Sequence, residues 1–258
     1  MVSRPAVTFD LWHTLVYLDP GAETDYLLRQ LGAAVEVLSA SPQMPTPPGA
    51  PLVEPKAAFK AELERAVFES HAGRTVTPAE QITRAAQACG REPPARAFEA
   101  ALGQVVAATP FRTAPGALET LAEVRRLGAA VAIVSNTVGE PGRFLREWLG
   151  KAGFDPSVQL YTFSDEHPWT KPAPEIFRWT LDRLGSEPSR AIHVGDGWAD
   201  LEGARRAQLH AGILYTGEQR YAPEYRALNY APPIDRSLVD AEVPTLPDLV
   251  PIVARWLG

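Results

Sequence analysis

Hydrophobic positions follow two rhythms along this chain. Residues 6–11, AVTFDL, form a short apolar run rich in β-formers and predict a buried strand that ends on a carboxylate. From about 22 to 110 the apolar spacing changes to threes and fours. AETDYLLRQLGAAVEVLSA, PKAAFKAELERAVFES, TPAEQITRAAQACG and PPARAFEAALGQVVAA each predict a helix, with no clear strand among them. Thr77-Pro78 is a helix start, with Thr77 as N-cap, Pro78 at N1 and Glu80 at N3, and Gly90 suits the C-terminal end. Between the first two helices, residues 41–55 read SPQMPTPPGAPLVEP, with six prolines and no charge before Glu54. That composition predicts an irregular loop stiffened toward polyproline II.

From about 112 strands and helices alternate. PGALETLAEVRRLG reads as helix and AAVAIVSN as buried strand; PGRFLREWLGKAG is helix and VQLYTFS strand. PAPEIFRWTLDRLG is a helix opened by prolines and closed by Gly185, RAIHVGD a strand, DLEGARRAQ a helix and HAGILYT a strand. PDLVPIVARWLG reads as a closing helix. Such alternation implies right-handed crossovers and an α/β, doubly wound parallel sheet with helices on both faces. Residues 1–19 and 111–258 would then make an α/β core, and 20–110 an inserted all-α domain. Residues 217–237, GEQRYAPEYRALNYAPPIDRS, follow neither rhythm and predict a surface loop or a partner contact.

Composition narrows the classes of function. The 258 residues are 45% hydrophobic and 22% charged, as expected of a soluble globular chain. A net charge of −6 argues against sequence-independent nucleic-acid binding, which needs a basic surface to displace counterions. No run approaches the length of a membrane span, and the first residues enter a strand at once, so no signal peptide is expected. Cys89 is the sole cysteine, so no intrachain disulfide forms. A cytoplasmic setting is expected, as a monomer or a homodimer.

In a doubly wound sheet, ligands bind outside the carboxyl ends of the strands. The residues there are Asp10-Leu-Trp-His-Thr14, Ser135-Asn136 and Gly195-Asp196-Gly-Trp-Ala-Asp200, with Lys171 at the start of a helix. Asp10, Asp196 and Asp200 offer the few hard oxygen ligands that Mg²⁺ takes. Lys171 can neutralise a transferring phosphoryl group and Ser135 can bond its oxygens. Trp12, Trp169 and Trp198 fall in three of these loops and predict an aromatic-walled pocket for an organic molecule.

The chain resembles the haloacid dehalogenase superfamily. FDLWHTL around Asp10, VAIVSNT with Ser135, SDEHPWTKPAPEIF with Lys171 and HVGDGWADLEGARRA with Asp196 and Asp200 match its four motifs, in order. The match covers about 1–19 and 111–215, and the helical insert is similar to the family's cap. The resemblance implies a Rossmann-like core under a cap that chooses a small-molecule substrate. It implies Asp10 as a nucleophile that takes the phosphoryl group as an aspartyl-phosphate. Thr14 and Ser135 would bond phosphoryl oxygens, and Lys171 would pair with Asp10 and the phosphoryl group. Trp12, His13, Asn136, Trp169 and Trp198 would line the substrate site. Mg²⁺ would be held by Asp10, Asp196, the backbone carbonyl of Trp12 and, as a further ligand or from behind, Asp200.

One position departs from the pattern. The family's phosphatases carry a second aspartate two residues after the nucleophile, which protonates the leaving alcohol and later activates water. Trp12 cannot, because indole is a donor with no useful pKa. Losing a general acid–base costs about 10²–10⁴ in rate. A slow or leaving-group-restricted phosphatase is therefore expected. His13, Glu166, His167 and His71 are candidate substitutes. Three alternatives follow from the same change. The family's dehalogenases also lack the second acid, but they need no metal and hold their substrate with an early cap arginine, and no arginine occurs from 30 to 64. The family's phosphonatases use a cap lysine, for which Lys56 and Lys60 are in range, but Lys171 stands where an arginine is expected. A non-catalytic, regulatory descendant is the third reading.

Overall fold

The computed structural model describes residues 3–45, 49, 51–217 and 232–257. The chain begins with β1 (Ala6–Phe9) and β2 (Val16–Tyr17), and then runs through four helices, α1 (Ala22–Ala40), α2 (Pro55–His71), α3 (Pro78–Ala88) and α4 (Ala95–Ala107). It returns through β3 (Arg112–Thr113) and alternates: α5 (Ala117–Arg126), β4 (Ala130–Ser135), α6 (Gly142–Lys151), β5 (Leu160–Phe163), α7 (Pro174–Leu184), β6 (Ala191–Gly195), α8 (Trp198–Ala207) and β7 (Ala211–Tyr215). β8 (Ala241–Val243) and α9 (Leu249–Leu257) complete it. The fold is the α/β class that the alternation predicts.

Six strands form one sheet in the order β5-β4-β1-β6-β7-β8, and every pairing in it is parallel. From β1 the chain builds outward to β5 on one side, then returns to build β6, β7 and β8 on the other. The carboxyl ends of β1, β4 and β6 therefore lie side by side where the winding reverses. Strand residues alternate between faces. Val7 and Phe9 join Ile133, Val194, Leu121, Leu145 and Val253 in the larger core, under α5, α6 and α9. Ala6 packs with Ala130, Ala191 and Leu181 on the opposite face, where small side chains let α7 and α8 approach closely.

The four helices of the insert bury an apolar centre of their own, with Leu38, Phe59, Ile82, Phe98 and Leu102. The α3 start has the expected geometry: the Thr77 hydroxyl accepts the Glu80 N–H, and the Glu80 carboxylate accepts the Thr77 N–H. Gly185 closes α7 with φ 69°. The insert is joined to the core at the antiparallel β2–β3 pair, where the Asp19 carboxylate accepts two hydrogen bonds from Arg112, at 3.2 and 3.0 Å. Two glutamines of the insert are buried against the core. The Gln30 amide donates to the Gly139 carbonyl at 3.2 Å, and the Gln81 amide to the Val138 carbonyl at 2.5 Å.

Three elements go beyond the hydrophobic pattern. β2 and β3 are two residues each, too short for a period to show. β8 takes its strand form from pairing with β7 at the sheet edge. Of the irregular stretch 217–237, residues 218–231 lie outside the described residues. Among the described residues, no helix is long and apolar enough to cross a membrane.

Candidate active site

Asp10 follows the last residue of β1, and its backbone N–H bonds the Val194 carbonyl of the neighbouring strand at 2.8 Å. This fixes the carboxylate at the centre of the crevice. Lys171 reaches it from the loop before α7. Its ammonium lies 2.5 Å from Asp10 Oδ1 and 2.6 Å from Asp200 Oδ1. All three side chains are buried. Lys171 is in turn held by Asn136: the Asn136 amide accepts the Lys171 N–H at 2.8 Å and donates to its carbonyl at 2.9 Å. Asn136, expected against the substrate, thus also clamps the lysine that crosses the site.

Asp200 sits in the first turn of α8. Its Oδ2 accepts the Gly197 N–H at 3.0 Å, so it caps the helix that carries it. Its Oδ1 receives Lys171 and also the buried His193 Nε2, at 3.0 Å. The carboxylate can only accept, so Nε2 carries the ring proton and Nδ1 faces the Thr8 hydroxyl at 2.8 Å. Gly195 makes room for this arrangement: a Cβ there would lie 2.2 Å from Asp200 Cγ. Asp196 lies beside it, and its Oδ1 accepts the Thr14 hydroxyl at 3.4 Å. Carboxylate oxygens of Asp10, Asp196 and Asp200 fall within 4.8 Å of one another.

The charges are unequal. Three buried carboxylates converge and one ammonium lies among them. Burial pushes the Asp10 carboxyl up, and the neighbouring Asp200 charge pushes it the same way against the pull of Lys171. Burial opposes ionisation of Asp200 as well, but Lys171 and the hydrogen bond from His193 outweigh it and hold that carboxyl well below its ordinary range. Burial pulls the Lys171 ammonium down, and the two aspartates more than restore it. Burial keeps His193 below its usual value and neutral. The excess negative charge suits a small divalent cation with oxygen ligands.

Above this floor is a cavity of about 460 Å³, bounded by Trp12, Val138 and Trp198 of the core loops, by Val67, Ser70 and His71 at the end of α2, and by Pro232–Ile234. Two of the expected aromatic walls, Trp12 and Trp198, line it; Trp169 does not. It packs beside Val134, Ile176 and Phe177 and stacks on His167. His13 also differs from expectation. It is buried, with φ 60°, and its Nε2 lies 2.8 Å from Glu23 Oε1 at the start of α1, away from the cavity. Thr14 and Ser135 are buried beneath the floor rather than in its lining, with Ser135 Oγ 3.5 Å from the Asn136 carbonyl.

Two residues of the site escaped the sequence. His193 lies inside an apolar strand, and its one signal was a polar ring amid β-formers. Glu140 is in the loop before α6. Its Oε1 accepts the Trp12 indole N–H at 3.1 Å, and its Oε2 accepts the Gln30 amide at 3.2 Å. Burial pushes its carboxyl up to about 7. Trp12 also packs on Phe111 and Tyr26, with ring centroids at 5.3 and 6.3 Å. Its one polar atom is thus committed to Glu140, and an apolar ring is what it adds to the cavity.

A family model for haloacid dehalogenase-like hydrolases matches residues 5–208. The phosphoglycolate phosphatase of Aquifex aeolicus is 36% identical over 114 residues, 44% of this chain and 50% of that protein. The phosphoserine phosphatase of Thermus thermophilus is 37% identical over 111 residues, 43% of each chain. The chain thus spans about half the length, or less, of these curated relatives. Among solved structures, the 2-haloacid dehalogenase of Pseudomonas syringae pv. Tomato superposes with a TM-score of 0.63 at 20% identity, covering 98% of this chain and 99% of that one.

Proposed function

The chain belongs to the haloacid dehalogenase-like hydrolases, and from that membership we propose that it is a Mg²⁺-dependent phosphatase of a small phosphorylated organic molecule. Residues 1–19 and 111–258 are its hydrolytic core and 20–110 its cap. The observation that carries the reading is the Lys171 ammonium, shared between Asp10 and Asp200 among three buried carboxylates. Lys171 holds Asp10 Oδ1, which leaves Oδ2 to attack phosphorus and form the aspartyl-phosphate. The ammonium stays beside the equatorial oxygens, where charge gathers.

Asp10, Asp196 and the Trp12 carbonyl would hold Mg²⁺, with Asp200 behind them. When bound, the ion supplies neutralisation of the floor and of the phosphoryl charge. Asp200 orients Lys171, and His193 orients Asp200. Thr14 steadies Asp196, and Ser135 supports the phosphoryl loop from beneath. The dehalogenase alternative uses no metal and would leave the excess charge of three buried carboxylates unneutralised, so it is disfavoured. The phosphatase activities of the Aquifex and Thermus relatives point the same way. Trp12 and Trp198 form the wall against the organic part.

Incubation with p-nitrophenyl phosphate tests the reading, because that leaving group needs little protonation. Release of p-nitrophenol that requires Mg²⁺ and is lost in Asp10→Asn is the expected outcome. Halide release from a 2-haloacid without metal overturns it. Binding of Mg²⁺ and phosphate with no turnover leaves the regulatory reading in its place.

A further inference from the structure

The core supplies no proton donor at position 12: the Trp12 indole N–H is turned to Glu140. His13, Glu166, His167 and His71 are the candidates that the sequence offers to replace one, and their surroundings separate them. His13 is paired with Glu23 away from the cavity. Glu166 is held by Arg146 at 2.8 Å on the surface. The His167 ring lies 4.2 Å from that of Trp179 and stacks on Trp169, rather than lining the cavity. His71 alone of the four lines the cavity that holds Asp10 and Lys171.

Its placement is specific. His71 is the last residue of α2, and the turn beyond it, Ala72–Gly73, packs on Ala173 at the start of α7. Its ring meets the Trp198 indole edge-on, with centroids 6.1 Å apart. Trp198 is the first residue of α8, the helix that also carries Asp200. The imidazole is thus braced by the loop that shapes the floor, although it belongs to the cap.

We propose that His71 is the acid–base residue of this site, a cap-borne replacement for the proton donor that Trp12 removes from the core. The inference rests on the phosphatase reading above. As the bond from Asp10 Oδ2 to phosphorus forms, the bond from phosphorus to the leaving oxygen breaks, and its electron pair goes to that oxygen. The imidazolium of His71 gives its N–H proton to the same oxygen, and the alcohol departs neutral. The now neutral ring accepts a proton from the water that attacks the aspartyl-phosphate. That water forms the new P–O bond, the bond to Oδ2 breaks, and phosphate leaves with Asp10 and His71 restored. Partial burial holds the imidazole below its usual pKa, which makes the protonated form a stronger acid.

Two substrates of similar shape and different leaving-group basicity test it: p-nitrophenyl phosphate and benzyl phosphate, with Mg²⁺, compared by kcat/KM. In His71→Gln, kcat/KM for benzyl phosphate is expected to fall by about 10²-fold, the low end for loss of a general acid. The p-nitrophenyl value should stay within about threefold, because that oxygen leaves without a proton. Added imidazole should restore part of the benzyl rate in His71→Ala. An equal fall on both substrates, or no fall on either, overturns the assignment and leaves the phosphatase reading standing. A wild-type protein that turns over neither ester with Mg²⁺ overturns that reading and this assignment with it.

Discussion

The Trp12 indole donates its N–H to the buried Glu140 carboxylate at 3.1 Å, across 128 residues of chain. Glu140 is also bonded by Gln30 of α1, so one carboxyl joins the wall of the site to the helical insert. Burial raises its pKa from 4.5 to about 7, with the nearby Asp165 acting in the same sense against its hydrogen bonds. The unfolded chain releases this proton near 4.5 and the folded one near 7, so this group's stability contribution is full below 4.5. It is lost as pH climbs toward 7 and is flat above it. The interval corresponds to about 3 kcal/mol. Melting curves at pH 5 to 8 should show this loss in the wild type and a flatter profile in Glu140→Gln.

Trp12→Asp restores the family's second acid on paper, but the structure gives it a cost. The indole fills space against Phe111 and Tyr26, and a carboxylate would face Glu140 in a buried setting. Loss of a large packed ring and the new like-charge contact should lower stability by roughly 3 kcal/mol. Thermal denaturation should show a lower Tm, while Trp12→Phe should fall by less.

Gly195→Ala tests whether Asp200 must hold its place. The new Cβ would overlap the Asp200 carboxyl, which carries Lys171 and His193. Activity on p-nitrophenyl phosphate should fall by about 10²-fold, since a displacement of about 1 Å can cost that much. A rate near that of the wild type would show that Asp200 is free to move.

Metal binding should appear in stability as well as in turnover. Mg²⁺ at 100 times its dissociation constant adds about 2.7 kcal/mol to a site formed only in the folded state. Asp196→Asn removes one carboxylate of the three, so the rise in Tm with added Mg²⁺ should shrink. Chelation should abolish activity in the wild type.

Local patterns carried much of this protein into view before its structure. The Thr77–Glu80 capping box and Gly185 are written in neighbouring residues. The strand-end motifs likewise announced Asp10, Lys171, Asp196 and Asp200. Other features have no local sign. β2 and β3 are too short to show a period, and β8 exists because β7 offers it an open edge. Glu140 looks like an ordinary loop charge until Gln30 and Trp12 enclose it. His13 sits next to the wall of the site in sequence but turns to Glu23 in space.

By itself, then, the sequence determined the order of strands and helices and which chemical groups stand at the strand ends, because periodicity, caps and turns act over a few residues. The tertiary structure alone decided which of those groups meet. Lys171 reaches Asp10 over 161 residues of chain because parallel crossovers bring β1, β4 and β6 side by side. His71 reaches the cavity because α2 of the helical insert packs beside the core loops, a consequence of long-range packing with no signature in any one segment.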